Sequence, residues 1–156
     1  MEALFAALEA TGPAELLRGG RWSYATVNAL HILGIALLVG SILPLDLRLL
    51  GVWRSVPLAP LARVLRPAAA GGLALAATMG LLLFSVRAGR YAEIGVMQLK
   101  AALILIALAN ALALARTPSD ALERLPRGRR RLHGTLSLCC WVGALFCGRL
   151  VAFAEG

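Results

Sequence analysis

Four long apolar runs, separated by short charged connections, dominate the chain. They cover approximately residues 23–43, 68–86, 97–115 and 132–153. Within each run the apolar residues are continuous rather than alternating, and Ala and Leu dominate, which favours helices over a membrane barrel. A helix needs about 20 mostly apolar residues to cross a hydrocarbon core of about 30 Å. Because lipid offers backbone groups no hydrogen-bond partner, each run is predicted to be a transmembrane helix.

The ends of these runs are marked by aromatic, proline and charged residues. Trp22 and Tyr24 are typical interfacial anchors before the first run, and Pro44 follows it. Pro67 precedes the second run, although an earlier start stays open because apolar residues continue a helical face from Leu58. Short connections favour antiparallel neighbours. The sequence therefore predicts an all-α, integral membrane four-helix bundle with up-down-up-down topology, forming a single domain over residues 1–156.

Residues 1–22 differ from the apolar runs and from a signal peptide. They carry Glu2, Glu9 and Glu15, and they lack the basic start and long apolar core of a signal. Pro13 stands at a plausible first helical position, and the apolar residues fall at helical spacing. We expect a short amphipathic helix at the membrane surface.

Composition supports the membrane assignment. The chain is 60% hydrophobic and 15% charged, whereas soluble domains are about 45–50% apolar and about 25% charged. Its net charge of +8 fits an anionic membrane surface better than nucleic acid, because most arginines flank apolar runs instead of forming a basic stripe with aromatics. The three cysteines, Cys139, Cys140 and Cys147, lack the spacing of a disulfide framework or a zinc site.

The distribution of Lys and Arg predicts an orientation. Ten lie in the connections after the first and third runs, and five lie on the other side, with Arg149 inside the fourth run. By the positive-inside rule the connections with ten are cytoplasmic and both termini face outward. We expect a multi-pass protein of a bacterial inner membrane.

Small residues recur at four-residue spacing in three of the runs, which lets helix backbones approach closely. The positions are Ala36 and Gly40, then Gly72, Ala76 and Gly80, then Ala144 and Gly148. Packing within the bundle is favoured over a dedicated dimer face.

Polar residues inside the membrane are costly, so each is a candidate functional group. Asn28 and His31 lie three residues apart on one helix face. Met79 and Arg149 fall at a similar depth, and one interpretation is a haem b or copper site in which His31 and Met79 are ligands and Arg149 pairs with a propionate. The other is a structural His31–Asn28 pair, with Met79 as apolar filling.

A second group of polar residues marks the arginine-rich side. Asp46 and Arg48 are predicted to form a local ion pair, with Asn110 within reach, in a structural role. His133 is predicted to be part of the basic interfacial anchor beside Arg130 and Arg131.

Two motifs carry a family resemblance. The run from His31 to Ile42, followed by Leu45-Asp-Leu-Arg-Leu-Leu-Gly51, and the closing Gly148-Arg149-Leu-Val-Ala-Phe153 resemble a family of uncharacterised bacterial four-helix inner-membrane proteins. The resemblance spans roughly residues 20–154 and implies the same bundle, without supplying an activity. Members often carry a His near the end of the third helix, where this chain has Asn110 and no His.

No residue pattern indicates catalytic, nucleotide-binding or metal-cluster chemistry, so we do not expect an enzyme. The leading hypothesis is an accessory or structural subunit that packs in a larger membrane complex, with the lipid bilayer and other membrane subunits, or itself, as partners. The alternative is a haem b- or copper-binding redox protein centred on His31. A transporter or channel is less favoured, because few polar residues are present to line a pathway.

Overall fold

A computed structural model describes residues 2–154, and every regular element in this range is a helix. The helices are α1 Glu2–Glu9, α2 Gly12–Gly19, α3 Arg21–Leu50, α4 Leu58–Ser85, α5 Ala88–Glu93, α6 Gly95–Ala115 and α7 Arg127–Ala154, with a 3₁₀ helix at Ser119–Arg124 between α6 and α7. Within this range α3, α4, α6 and α7 are long and apolar enough to cross a membrane. The prediction of an all-α protein with four apolar helices of membrane-spanning length is confirmed.

The long helices extend beyond the apolar runs. Pro44 lies inside α3, which continues to Leu50 and stops at Gly51, whose φ of 105° places it in the left-handed region. Its 30 residues give a length of about 45 Å at 1.5 Å per residue, well over a hydrocarbon core of about 30 Å. The apolar run therefore indicates the part of α3 that is long enough to cross the hydrocarbon core, and the helix itself is longer than this run.

The same holds for α4 and α7. The earlier start of the second helix is confirmed, because α4 begins at Leu58 and contains Pro67. Pro60 falls in its first turn, where a missing N–H removes no helical hydrogen bond. Helix α7 begins at Arg127, directly after Pro126, so the arginine cluster forms its first turns instead of preceding it.

The closest helix contact joins α3 and α4. A Cβ added at Gly34 would lie 2.5 Å from the Ala76 backbone nitrogen, and one added at Gly72 would lie 2.5 Å from the Leu38 nitrogen. The predicted small-residue face of the second span is thus a packing face. The partner on α3 is Gly34 rather than Ala36 and Gly40, which are exposed, because residues two positions apart on a helix point in nearly opposite directions.

Helix α3 also packs on α7, and α7 packs on α6, whereas α4 and α6 share no extended interface. Two apolar clusters fill these contacts. The first, near the arginine-rich ends, contains Leu45, Leu49, Leu58, Ala62, Leu114 and Leu122. The second, nearer the middle, contains Leu38, Ala69, Ala107, Cys140 and Trp141.

The two N-terminal helices pack against the far end of α4 and against α5. Ala14 and Leu17 of α2 are buried, and the Phe5 ring meets Phe84 edge to face at 6.4 Å between centroids. The Gly89 N–H donates a 2.9 Å hydrogen bond to the Glu9 carboxylate. These contacts attach the acidic N-terminal segment to the end of the bundle that carries fewer arginines.

Candidate functional site

His31 lies in the seam between α3 and α4. Its Nδ1–H donates a 2.8 Å hydrogen bond to the Ala76 carbonyl. The ring rests on Gly80, where an added Cβ would lie 2.8 Å from His31 Cε1. A larger residue at position 80 would displace the ring, so Gly80 provides its space. The bond leaves Nε2 as the ring nitrogen with a free lone pair.

Asn28 does not share this seam. The predicted pairing with His31 is replaced by the bond to Ala76, and the Asn28 side chain is exposed on the outside of α3. Ala36 and Gly40 are exposed on the same helix, and a Cβ added at Gly40 would meet nothing within 4 Å. Asn28, Ala36 and Gly40 are separated by multiples of four residues, so they follow one ridge of the helix. We refer to these three residues as the outer α3 ridge.

The predicted cofactor group also includes Met79 and Arg149. Met79 is half-buried on α4, next to Gly80. Arg149 is exposed, and its guanidinium lies 4.7 Å from the centre of the Phe153 ring on its own helix. In residues 2–154 no group of three or more His, Cys, Asp and Glu side chains could hold a metal ion.

Lys100 of α6 is a cation that lies between α6 and α7. It is half-buried, and its Nζ lies 3.3 Å from the position that a Cβ would take at Gly148. Gly148 therefore makes room for a lysine between α6 and α7, a role that its place in a small-residue pattern suggested only in general terms.

At the arginine-rich end, Asp46 and Arg48 do not pair with each other. The side chain of Asp46 is buried against Ser137 of α7, and its Oδ2 has no hydrogen-bond partner. Arg48 instead donates a 2.6 Å hydrogen bond from Nε to the Val56 carbonyl and lies 3.8 Å from Glu123. Residues i and i+2 of a helix do not face each other, so the predicted local ion pair is wrong.

Asn110 and His133 join α6 to α7 through two hydrogen bonds. The Asn110 amide donates to the His133 carbonyl at 3.1 Å, and His133 Nδ1–H donates to Asn110 Oδ1 at 2.6 Å. The sequence analysis predicted Asn110 within reach of Asp46, and it predicted His133 at the membrane–water interface beside the arginines. Both residues lie about one and a half turns from the arginine-rich ends of their helices, and this similar depth is the signal in the sequence that could have paired them.

The connection between α6 and α7 covers the start of α4. The Glu123 carboxylate accepts a 2.9 Å hydrogen bond from the Leu58 N–H, so it caps α4 while it pairs with Arg48. Arg66 donates to the carbonyls of Leu114 and Thr117 at 3.1 and 2.9 Å. Charged groups at this end therefore hold the helices and loops together.

Comparison with known proteins gives no relative. The chain matches no family model, and it has no significant match among curated proteins or among solved structures.

Proposed function

We propose that this protein is a small, non-enzymatic membrane subunit that packs against another transmembrane helix of a larger assembly. The observation that carries the proposal is the outer α3 ridge, which places an exposed amide and two exposed small residues on the lipid-facing side of a spanning helix. The other small-residue faces are occupied within the chain, since Gly34 and Gly72 lie in the α3–α4 seam.

The chemistry of this ridge suits helix docking. Where lipid removes the hydrophobic drive, small residues allow close backbone approach, and Asn side chains form hydrogen bonds across helices. Such a hydrogen bond contributes about 0.6–2 kcal/mol in a membrane. Asn28 in hydrocarbon lacks water as a partner, so a second helix that supplies an acceptor or donor would stabilise it.

The proposal includes a placement in the membrane. Contacts pair His31 with Ala76 and Leu38 with Gly72, so later residues of α3 meet earlier residues of α4. Contacts between α6 and α7 run the same way, from Lys100 with Gly148 to Asn110 with His133. These pairings support an up-down-up-down bundle.

The excess of arginines on one side supports a cytoplasmic position for that side and outward-facing termini. The motif resemblance supports a bacterial inner membrane. The acidic N-terminal helices would then lie at the outer surface, against the end of the bundle.

A second candidate function, a haem b or copper protein centred on His31, is favoured by one contact. Histidine ligands usually donate their second ring N–H to a carbonyl, which orients the ligating nitrogen, and His31 donates Nδ1–H to Ala76. Met79, next to Gly80, is the candidate for a second ligand. The visible spectrum of the purified protein separates the two functions, because bound haem gives a Soret band that His31→Ala would remove.

The experiment for the main proposal is extraction from the native membrane into lipid nanodiscs, followed by mass measurement. After the lipid and scaffold masses are subtracted, we expect a protein mass above the 16.4 kDa of one chain. We expect this assembly to dissociate in Asn28→Leu and in Gly40→Leu. The matched control is Gly71→Leu, another exposed glycine with no atom within 4 Å of an added Cβ. A wild-type protein that is monomeric and co-isolates with nothing would overturn the proposal.

A further inference from the structure

A basic pocket lies where α3 ends and α7 begins. Its volume is about 170 Å³. Five arginines line it, two from the end of α3 and the turn after it and three from the first turns of α7. They are Arg48, Arg54, Arg127, Arg130 and Arg131. We refer to this feature as the basic pocket.

The positive charge of the basic pocket is poorly balanced. In the part of the chain that the structure describes, one carboxylate pairs with a lining residue. It belongs to Glu123, which lies 3.8 Å from Arg48 and has a half-exposed side chain. Arg54 Nε donates to the Gly51 carbonyl at 3.2 Å, and Arg48 Nη2 donates to the Arg54 carbonyl at 3.4 Å, so their backbone acceptors are neutral. The basic pocket thus brings several guanidinium groups together with little negative charge to balance them.

One guanidinium nitrogen of a lining arginine is buried without any acceptor. Arg130 Nε is inaccessible to solvent and makes no hydrogen bond in the part of the chain that the structure describes. A buried donor without a partner is costly, and a bound anion would supply the acceptor once the Arg130 side chain turned Nε toward the basic pocket. Guanidinium groups are geometrically suited to phosphate oxygens, with which they form paired hydrogen bonds.

The start of α7 adds to this preference. Its first backbone hydrogen bond runs from the Arg130 N–H to the Pro126 carbonyl at 3.1 Å, so the N–H groups of the preceding turn have no helical acceptor. The N-terminal end of a helix also carries a partial positive charge. Backbone and side chains at this end therefore both favour an anion.

The size and surroundings of the basic pocket identify the class of anion. A volume of about 170 Å³ is several times the roughly 30 Å³ of a water molecule, but it lies below the roughly 300–1,000 Å³ of pockets that enclose a drug-sized ligand. Leu49 and Leu50 also line it, which provides an apolar side at the end of a membrane-spanning helix. Basic pockets between transmembrane helices, at the membrane surface where the helices end, bind lipid headgroups.

We infer that the basic pocket binds the phosphate headgroup of an anionic phospholipid, with Arg130 as the central ligand and Arg54 and Arg131 at the entrance. A phosphate in the pocket would join the end of α3 to the start of α7. The inference needs only the membrane location of the chain, so it does not depend on docking at the outer α3 ridge.

The test is native mass spectrometry of the full-length protein from nanodiscs that contain either phosphatidylcholine alone or phosphatidylcholine with phosphatidylglycerol. We expect one retained phosphatidylglycerol on the wild type. The pocket variant is Arg130→Gln/Arg131→Gln. The matched control is Arg116→Gln/Arg124→Gln, which removes the same charge from the same side of the bundle but leaves the basic pocket intact. Both double variants lose part of the general electrostatic attraction to the anionic lipid surface, which weakens lipid binding by about fivefold per arginine.

Loss of charge-assisted hydrogen bonds adds at least about tenfold in the pocket variant alone. Equal losses in the two double variants would overturn the inference. Should the pocket variant unfold, Arg54→Gln serves in its place, since Arg54 is exposed in the turn after α3, and it should still lose more lipid than Arg116→Gln. Millimolar inorganic phosphate added to lipid-free micelles distinguishes the sources, because stabilisation by free phosphate equal to that by phosphatidylglycerol would contradict a lipid site.

Discussion

Replacing Gly72 by alanine places one methyl group at the closest contact between α3 and α4. The added Cβ would lie 2.5 Å from the Leu38 nitrogen, 2.9 Å from the Gly34 carbonyl oxygen and 2.9 Å from Leu37 Cβ. Restoring a contact of about 3.5 Å requires the helices to separate by about 1 Å. Since Nδ1 of His31 lies 2.8 Å from the Ala76 carbonyl oxygen, the same separation would break that hydrogen bond.

The cost of this substitution follows from three contributions. Overpacking of a well-packed interface costs about 1–3 kcal/mol, and loss of the hydrogen bond costs about 0.5–1.5 kcal/mol. The higher helix propensity of alanine offsets up to about 1 kcal/mol. We therefore expect Gly72→Ala to lower the free energy of unfolding by about 0.5–4.5 kcal/mol.

Reversible unfolding in mixed micelles measures this change, and the neighbouring residue provides the control. Gly71 is exposed, and a Cβ added there would meet nothing within 4 Å, so Gly71→Ala should be neutral or slightly stabilising. If Gly72→Ala proves as stable as Gly71→Ala, the close α3–α4 seam is refuted, and with it the reason for the glycines at positions 34 and 72.

Substitutions test three further polar contacts. His31→Leu should cost about 0.5–1.5 kcal/mol through the lost bond to Ala76 and should leave the visible spectrum unchanged, whereas a Soret band lost with the histidine would favour the haem function. Asn110→Leu removes the acceptor of His133 Nδ1–H and should lower the free energy of unfolding by about 1–3 kcal/mol. In a double-mutant cycle of Asn110→Ala and His133→Ala, additive effects would contradict direct contact between the two side chains. Glu123→Ala should cost about 0.5–2 kcal/mol because it uncaps the Leu58 N–H, while Glu123→Gln retains an acceptor and should cost less; equal effects would argue against the cap.

The sequence predicts the four long apolar helices well, because a membrane-crossing helix needs a continuous apolar run of about 20 residues. It does not predict where the helices end. Hydropathy falls at Pro44, but the backbone hydrogen bonds of α3 continue to Leu50, where only the left-handed conformation of Gly51 stops them.

The polar residues themselves were recognisable, but their partners were less so. His31 is conspicuous in an apolar run, yet its partner is the backbone carbonyl of Ala76, and a carbonyl has no sequence signature. Asn110 and His133 required the relative depth of two helices. The basic pocket forms because Arg48 and the first turns of α7 line the same space. This arrangement requires α3 to extend beyond its apolar run.

The claim that the outer α3 ridge contacts another transmembrane helix is tested most directly by cross-linking in the native membrane. A photo-reactive amino acid at Ala36 should give a discrete cross-linked product, whether with a second copy or with a different subunit. The control position is Leu81, which is also exposed but lies on α4, and it should react only with lipid. Lipid adducts alone at both positions would contradict the account.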